Sequence, residues 1–165
     1  MNNEIKNPSR FYKPVSMASC LSLLILTTGN VCARSLDPGE TETVTPGSAP
    51  EAWYIPPAAV LNLNGADALE IEVGRGTLNA QSATTAQIDA FSGATVNLTD
   101  STVVNTTTNA ALSLLDSRAT ITTSSLNSQG YALTLARDLR PVSIGSSATI
   151  TNSTLTGELG GGAVT

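Results

Sequence analysis

From about residue 58 onward, apolar and polar positions alternate along the chain with a period of two. Leu69, Ile71 and Val73 are each separated by one polar residue, as are Val96 and Leu98, Ala119 and Ile121, and Ala148 and Ile150. That alternation, enriched in Thr, Val and Ile, predicts half-buried β-strands. A second set of short alternating runs falls between the first: Ile88 to Ala90, Ala111 to Leu114 and Tyr131 to Leu135. No stretch after residue 33 places aliphatics at helical spacing, so no amphipathic helix is expected there.

The alternation is also periodic on a longer scale. Leu98-Thr99-Asp100-Ser101-Thr102-Val103 returns as Ile121-Thr122-Thr123-Ser124-Ser125-Leu126 and again as Ile150-Thr151-Asn152-Ser153-Thr154-Leu155. A fainter copy, Val73-Gly74-Arg75-Gly76-Thr77-Leu78, precedes them with the same distance between its aliphatic ends. The copies recur roughly every 25 residues, within the range that marks solenoids. Two or three short strands per repeat, punctuated by Gly, Asn, Asp and Ser, predict an all-β parallel β-helix of about four coils over 58–165. Stacked coils would place Val73, Leu98, Ile121 and Ile150 in one inward column, and Leu78, Val103, Leu126 and Leu155 in another. Outward Thr and Ser would form hydroxyl ladders. A disordered Ser/Thr-rich segment is the competing reading, but disorder does not require aliphatics at matching positions in every copy.

Upstream of the coils the character changes twice. Lys6, Arg10 and Lys13 precede an uncharged run from Met17 to Thr28, and Val31-Cys32-Ala33 supplies small residues before Arg34. Residues 1–33 therefore read as a signal peptide handled by the Sec export machinery and signal peptidase. Its apolar core is short for a membrane span, which needs about 20 residues. Residues 34–57 are rich in Pro, Gly, Thr and Glu and read as a disordered linker. Within it Trp53-Tyr54-Ile55 is either a cap over the first coil or an aromatic patch in a flexible arm.

Charge and chemistry narrow the function classes. After residue 33 the chain holds five arginines, no lysine and twelve carboxylates, a net charge of −7. Such a surface disfavours nucleic acid and anionic lipid as partners. Both cysteines, Cys20 and Cys32, lie in the leader, so no disulfide is expected in the exported part. There is no histidine, and no nucleophile-elbow, zinc-helix or phosphate-loop motif occurs, so no catalytic residue, metal or cofactor is expected. A polysaccharide-cleaving β-helix would need clustered carboxylates on one face. Stacking puts Asp100 beside Thr123 and Asn152, and would bring Asp116 to Asp138 only if the intervening segment bends back. The last repeat is longer than the others, and its extra residues fall in 136–145. That insertion predicts an external loop, in which Arg137, Asp138 and Arg140 are the candidate binding residues. Asn97, Asn105 and Asn152 each begin an N-glycosylation tripeptide, which in Asn/Thr-rich coils arises readily by chance.

The basic leader, the cysteine-free body and the Ile-Thr-x-Ser-Thr-Leu coils together resemble the pertactin-like passenger domains of bacterial autotransporters. The resemblance implies a right-handed parallel β-helix, exported to the periplasm, cell surface or exterior of a Gram-negative bacterium. It implies a role as an adhesin or other surface factor that contacts a host-cell or bacterial surface ligand. A full-length relative would also carry an outer-membrane β-barrel, and no series of about ten-residue alternating membrane strands lies within these 165 residues. A purely structural β-helical spacer, or a remnant of a truncated gene, is the alternative. Cleavage before Arg34 is directly testable: N-terminal sequencing of the exported protein is expected to begin Arg34-Ser35-Leu36, and recovery of an intact leader on exported material would contradict it.

Overall fold

The computed structural model describes residues 33–139 and 143–159, and these are entirely β-strand, turn and loop, with no helix. Residues 1–32, within the expected signal peptide, lie outside the described residues. Arg34–Ser35 (β1) and Thr41–Val44 (β2) form the first coil, and Trp53–Ile55 (β3) and Val60–Asn64 (β4) the second. The third adds a third strand: Ile71–Gly74 (β5), Thr77–Gln81 (β6) and Thr84–Thr85 (β7). Ile88–Phe91 (β8), Thr95–Thr99 (β9) and Thr102–Asn105 (β10) follow, then Leu112–Leu115 (β11), Arg118–Thr122 (β12) and Ser125–Ser128 (β13). Leu133–Ala136 (β14), Ser147–Thr151 (β15) and Thr154–Gly157 (β16) complete the stack.

Every pairing is parallel and joins a strand to its equivalent in the next coil. Three sheets result: β1-β3-β5-β8-β11-β14, β2-β4-β6-β9-β12-β15, and β7-β10-β13-β16. The described residues thus form a parallel β-solenoid whose first two sheets are six strands deep and whose third is four. Its core is a set of columns. Ile71, Ile88 and Leu112 stack on the first sheet, Leu61, Leu78 and Val96 on the second, and Val103 and Leu126 on the third, all fully buried. Burying each such side chain contributes roughly 1.5–3 kcal/mol.

The three strong sequence repeats fall where the chain turns from the second sheet to the third. In each, the variable residue has a left-handed backbone: Asp100 at φ 49°, Thr123 at 50° and Asn152 at 51°. The serine that follows is the corner's internal polar group. Ser101, Ser124 and Ser153 each donate to the carbonyl two residues back, at 2.8 Å in all three. Their oxygens in turn accept the N–H of the coil below: Ala83 to Ser101 at 3.2 Å, Ser101 to Ser124 at 3.1 Å and Ser124 to Ser153 at 3.0 Å. Ser101 and Ser124 are buried, whereas an outward ladder was expected of them. A buried hydroxyl is tolerable here because its donor and its acceptor are both used.

Two sequence expectations are corrected by the register. Val73 to Leu78 does not stack on the other copies; Val73 lies over Ala90 in the first sheet, and Leu78 lies between Leu61 and Val96 in the second. That segment spans the other corner, between β5 and β6, where Arg75 has φ 63°. Both corners separate their flanking aliphatics equally, which is why the segment imitates the repeat. Leu63 and Ala80 take the place expected for Val73, and Thr85 that expected for Leu78. The second correction concerns 34–57, expected as a linker but carrying β1, β2 and β3. Few apolar residues suffice because Leu36, Val44, Trp53 and Ile55 are spaced to point inward, and all four are buried. Arg34 lies 4.7 Å over the Trp53 ring and pairs with Glu42 at 2.5 Å.

Thr85 marks a fault in its column. It is 3 % exposed, and its hydroxyl has no hydrogen-bond partner. A buried unpaired hydroxyl costs about 1–3 kcal/mol. Thr85→Val keeps the shape and removes that cost, so it is expected to raise the urea midpoint by the equivalent of about 1–2 kcal/mol; an unchanged or lowered midpoint would count against the unpaired hydroxyl.

Candidate functional site

Of the insertion expected between residues 136 and 145, the described residues on either side of 140–142 lie outside the strands, the chain leaving at the end of β14 and returning at Ser146 into β15. Its base is closed by the ladder itself. Ser146 lies within hydrogen-bonding distance of the carbonyls of Ala136 (2.6 Å) and Leu114 (2.9 Å), and its oxygen accepts the Ser117 N–H at 3.3 Å. Ser146 thus repeats at this corner what Ser101 and Ser124 do at the other, and the chain resumes register after the excursion.

The loop is gathered onto one carboxylate. Asp116 Oδ1 accepts the N–H of Gly145 at 3.0 Å, the N–H of Asp138 at 3.3 Å and the hydroxyl of Ser143. Asp116 itself has φ 51° and is only 9 % exposed. The Ser143 hydroxyl holds its carboxyl below the usual carboxylate range; burial opposes this, while the N–H groups of Asp138 and Gly145 and the charge of Arg137 add to it.

The three residues singled out from the sequence fare differently. Arg137 lies near enough to Asp116 to stabilise its charge, and Asp138 contributes its backbone N–H to the same carboxylate. Asp138 therefore comes to Asp116 as a donor of its main chain. Arg140 lies outside the described residues. The loop's apolar residues are more exposed than its insertion into the core would allow: Leu139 is fully exposed and Ile144 is 70 % exposed. Against the returning limb, Ser117, Arg118, Ile144, Gly145, Ser146 and Ser147 enclose a depression of about 370 Å³.

A second polar feature runs along the second sheet. Asn97 donates to Asn79 at 2.8 Å, Asn79 to Asn62 at 2.9 Å and Asn62 to Thr43 at 3.4 Å, all through Nδ2. These amides, with Asn64, Gln81 and Thr99, line a shallow groove of about 350 Å³. Sequence reasoning missed this ladder, although Leu61-Asn62-Leu63, Leu78-Asn79-Ala80 and Val96-Asn97-Leu98 display it openly. Two of the three glycosylation tripeptides begin at engaged amides. Asn97 belongs to this ladder, and buried Asn105 donates to Gln87 and to the Ala110 carbonyl.

On the first sheet, register sets Glu72 directly beside Asp89. This is the face-sharing carboxylate pair that the sequence columns did not reveal. Burial pushes the Asp89 carboxyl up, partly offset by the Gln87 amide at 2.6 Å. Among the described residues no three metal-ligating side chains converge. In comparisons with family models, with curated proteins and with solved structures, nothing matches the chain.

The two aspartates predict opposite pH dependences. Asp116, with its carboxyl lowered on folding, contributes stability that is present above the ordinary value of 3.8 and lost as pH falls through its folded value. Asp89 is raised on folding, so its contribution is greatest below 3.8 and is lost as pH rises through its folded value. Asp116→Asn is expected to flatten the acid limb of stability against pH and speed amide exchange at Asp138 and Gly145. Asp89→Asn is expected to remove the loss on the rising limb. Urea unfolding of each variant between pH 3 and 7, about the ordinary carboxylate range, would contradict the assignments if the curves parallel that of the parent.

Proposed function

We propose that this chain is an exported β-solenoid of the passenger type, which acts by binding at a cell surface and carries out no catalysis. The observation that carries the reading is the pinned loop: a regular stack interrupted at one corner by an insertion whose base is closed by Ser146 and whose interior is tied to Asp116. Connecting segments of a rigid scaffold are where binding residues concentrate. Limbs tied to Asp116 through Asp138 and Gly145 also lose less freedom on contact than untethered ones. The amide and hydroxyl columns on the remaining faces give such a protein a solvated exterior. A host-cell or neighbouring bacterial surface is the proposed partner, and the periplasm, cell surface or exterior is the proposed location.

The uninterrupted register of the other coils favours a second reading, in which the stack is a spacer that holds another element away from the membrane. Bead adhesion separates the two. Beads coated with residues 34–165 are expected to adhere to cultured cells above beads coated with an unrelated acidic protein, and Arg137→Ala with Arg140→Ala is expected to reduce that adhesion several-fold. Equal adhesion by parent and control beads would favour the spacer, and adhesion unaffected by the double substitution would remove the loop's arginines from the binding role.

A further inference from the structure

Arg118 departs from its surroundings. The first outward position of the second sheet is Thr77 in β6, Thr95 in β9, Arg118 in β12 and Ser147 in β15. With Thr41 and Val60 below them, a cation thus stands in a column of otherwise uncharged side chains. It is exposed, and it makes no ion pair and no side-chain hydrogen bond among the described residues. Among the described arginines only Arg34 forms an ion pair, so the Arg118 guanidinium is available to an outside anion. Arg118 also lines the depression against the returning limb of the loop, together with Ser117, Ile144, Gly145, Ser146 and Ser147. That wall is held in place, since the Gly145 N–H is bonded to Asp116 and Ser146 to Ala136.

We propose that this depression is a binding site for a carboxylated sugar. The planar guanidinium of Arg118 matches a carboxylate in a two-point fork. The exposed Ser147 hydroxyl, without a hydrogen-bond partner, faces ring hydroxyls as donor or acceptor. Ile144, 70 % exposed at the wall, covers the C–H face of the ring. About 370 Å³ lies at the small end of ligand pockets, which suits one sugar ring. A single carboxylate fits better than a polysulfated chain. With twelve carboxylates against five arginines after residue 33, the acidic remainder of the surface repels a polyanion.

The site rests on the reading of the chain as a binding module, but its test reads the site alone. Isotope-labelled protein is titrated with D-glucuronic acid, and in parallel with glucose, acetate and inorganic phosphate, while amide resonances are followed. Glucuronic acid is expected to shift the amides of Arg118, Gly145 and Ser147 saturably, with the other three compounds far weaker. Arg118→Gln is expected to weaken glucuronic acid by about tenfold or more, the loss of a charge-assisted pair. Arg118→Lys should retain part of the affinity, and Arg75→Gln, at a corner two coils away, all of it. Unchanged resonances elsewhere in Arg118→Gln establish that its fold is kept. Acetate or phosphate binding as tightly would reduce the site to an adventitious anion contact and overturn the proposal. Equal binding of glucose, the absence of any saturable shift, or parental affinity in Arg118→Gln would overturn it as well. Saturable sugar binding without bead adhesion would leave the site standing and remove the cell-surface role; adhesion without sugar binding would do the reverse.

Discussion

The parallel backbone ladder between coils governs everything else in this molecule. Each strand bonds only to its equivalents above and below, so every corner must return the chain at the same height and phase, or the next strand loses both its hydrogen bonds and its inward face. The corners leading into the second and third sheets achieve this with a left-handed residue, and among the described residues eight of these are not glycine. Such a conformation costs an L-residue about 1–2 kcal/mol. At Asp100, Thr123 and Asn152 that cost is offset by the serine that follows, which makes one bond within its own coil and accepts one from its neighbour, each worth about 1 kcal/mol net. The repeat in the sequence is therefore the imprint of a corner, and its Thr-x-Ser centre is the part that backbone geometry demands.

Stacking like upon like also sorts the polar side chains. An amide has both a donor and an acceptor, so Asn97, Asn79 and Asn62 hand a hydrogen bond from one to the next. A hydroxyl can do the same. A carboxylate cannot, because its ionised form only accepts, and its neighbour one strand away is close enough to repel it. Glu72 beside Asp89 is the one in-register carboxylate pair on the described strands. The half-buried Asp89 of that pair is the carboxyl pushed upward by burial. Most other acidic residues sit at corners, loops or the first coil, where stacking does not apply. A low proportion of charged residues, 13 %, follows from the architecture before any function is considered.

What could be read from the sequence follows the same division. The fold class was legible because three corners share one chemical solution. The chain before residue 58 was not, since its turns use Asp37-Pro38-Gly39 and Pro56-Pro57, which resemble linker composition. The buried set of 34–57 is small, but Leu36, Val44, Trp53 and Ile55 all point inward. The loop was legible as an excess of residues in one repeat. Its anchor was not, because Asp116 lies 22 to 29 residues before the groups it holds, and nothing local distinguishes it from Asp100 at the equivalent bend of another corner. The Glu72–Asp89 pair escaped because it depends on register in a sheet whose copies are not alike in sequence.

A solenoid can carry an insertion only where the ladder is left intact on either side, and the break after β14 shows how that is done. The chain leaves at Ala136 and returns at Ser146, whose bonds to Ala136, Leu114 and Ser117 rebuild the corner across the gap. Strand β15 then pairs with β12 over five residues, from Arg118 opposite Ser147 to Thr122 opposite Thr151, as though nothing had intervened. The intervening residues are released from the demands of stacking, and Leu139, Ile144 and Arg137 need satisfy no column. Asp116 supplies the order that the ladder no longer provides, drawing both limbs onto a carboxylate of the preceding coil. Regularity in the rest of the stack is what makes this corner informative: where each inward residue is dictated by the one below, chemistry specific to this protein is confined to the places that break the pattern.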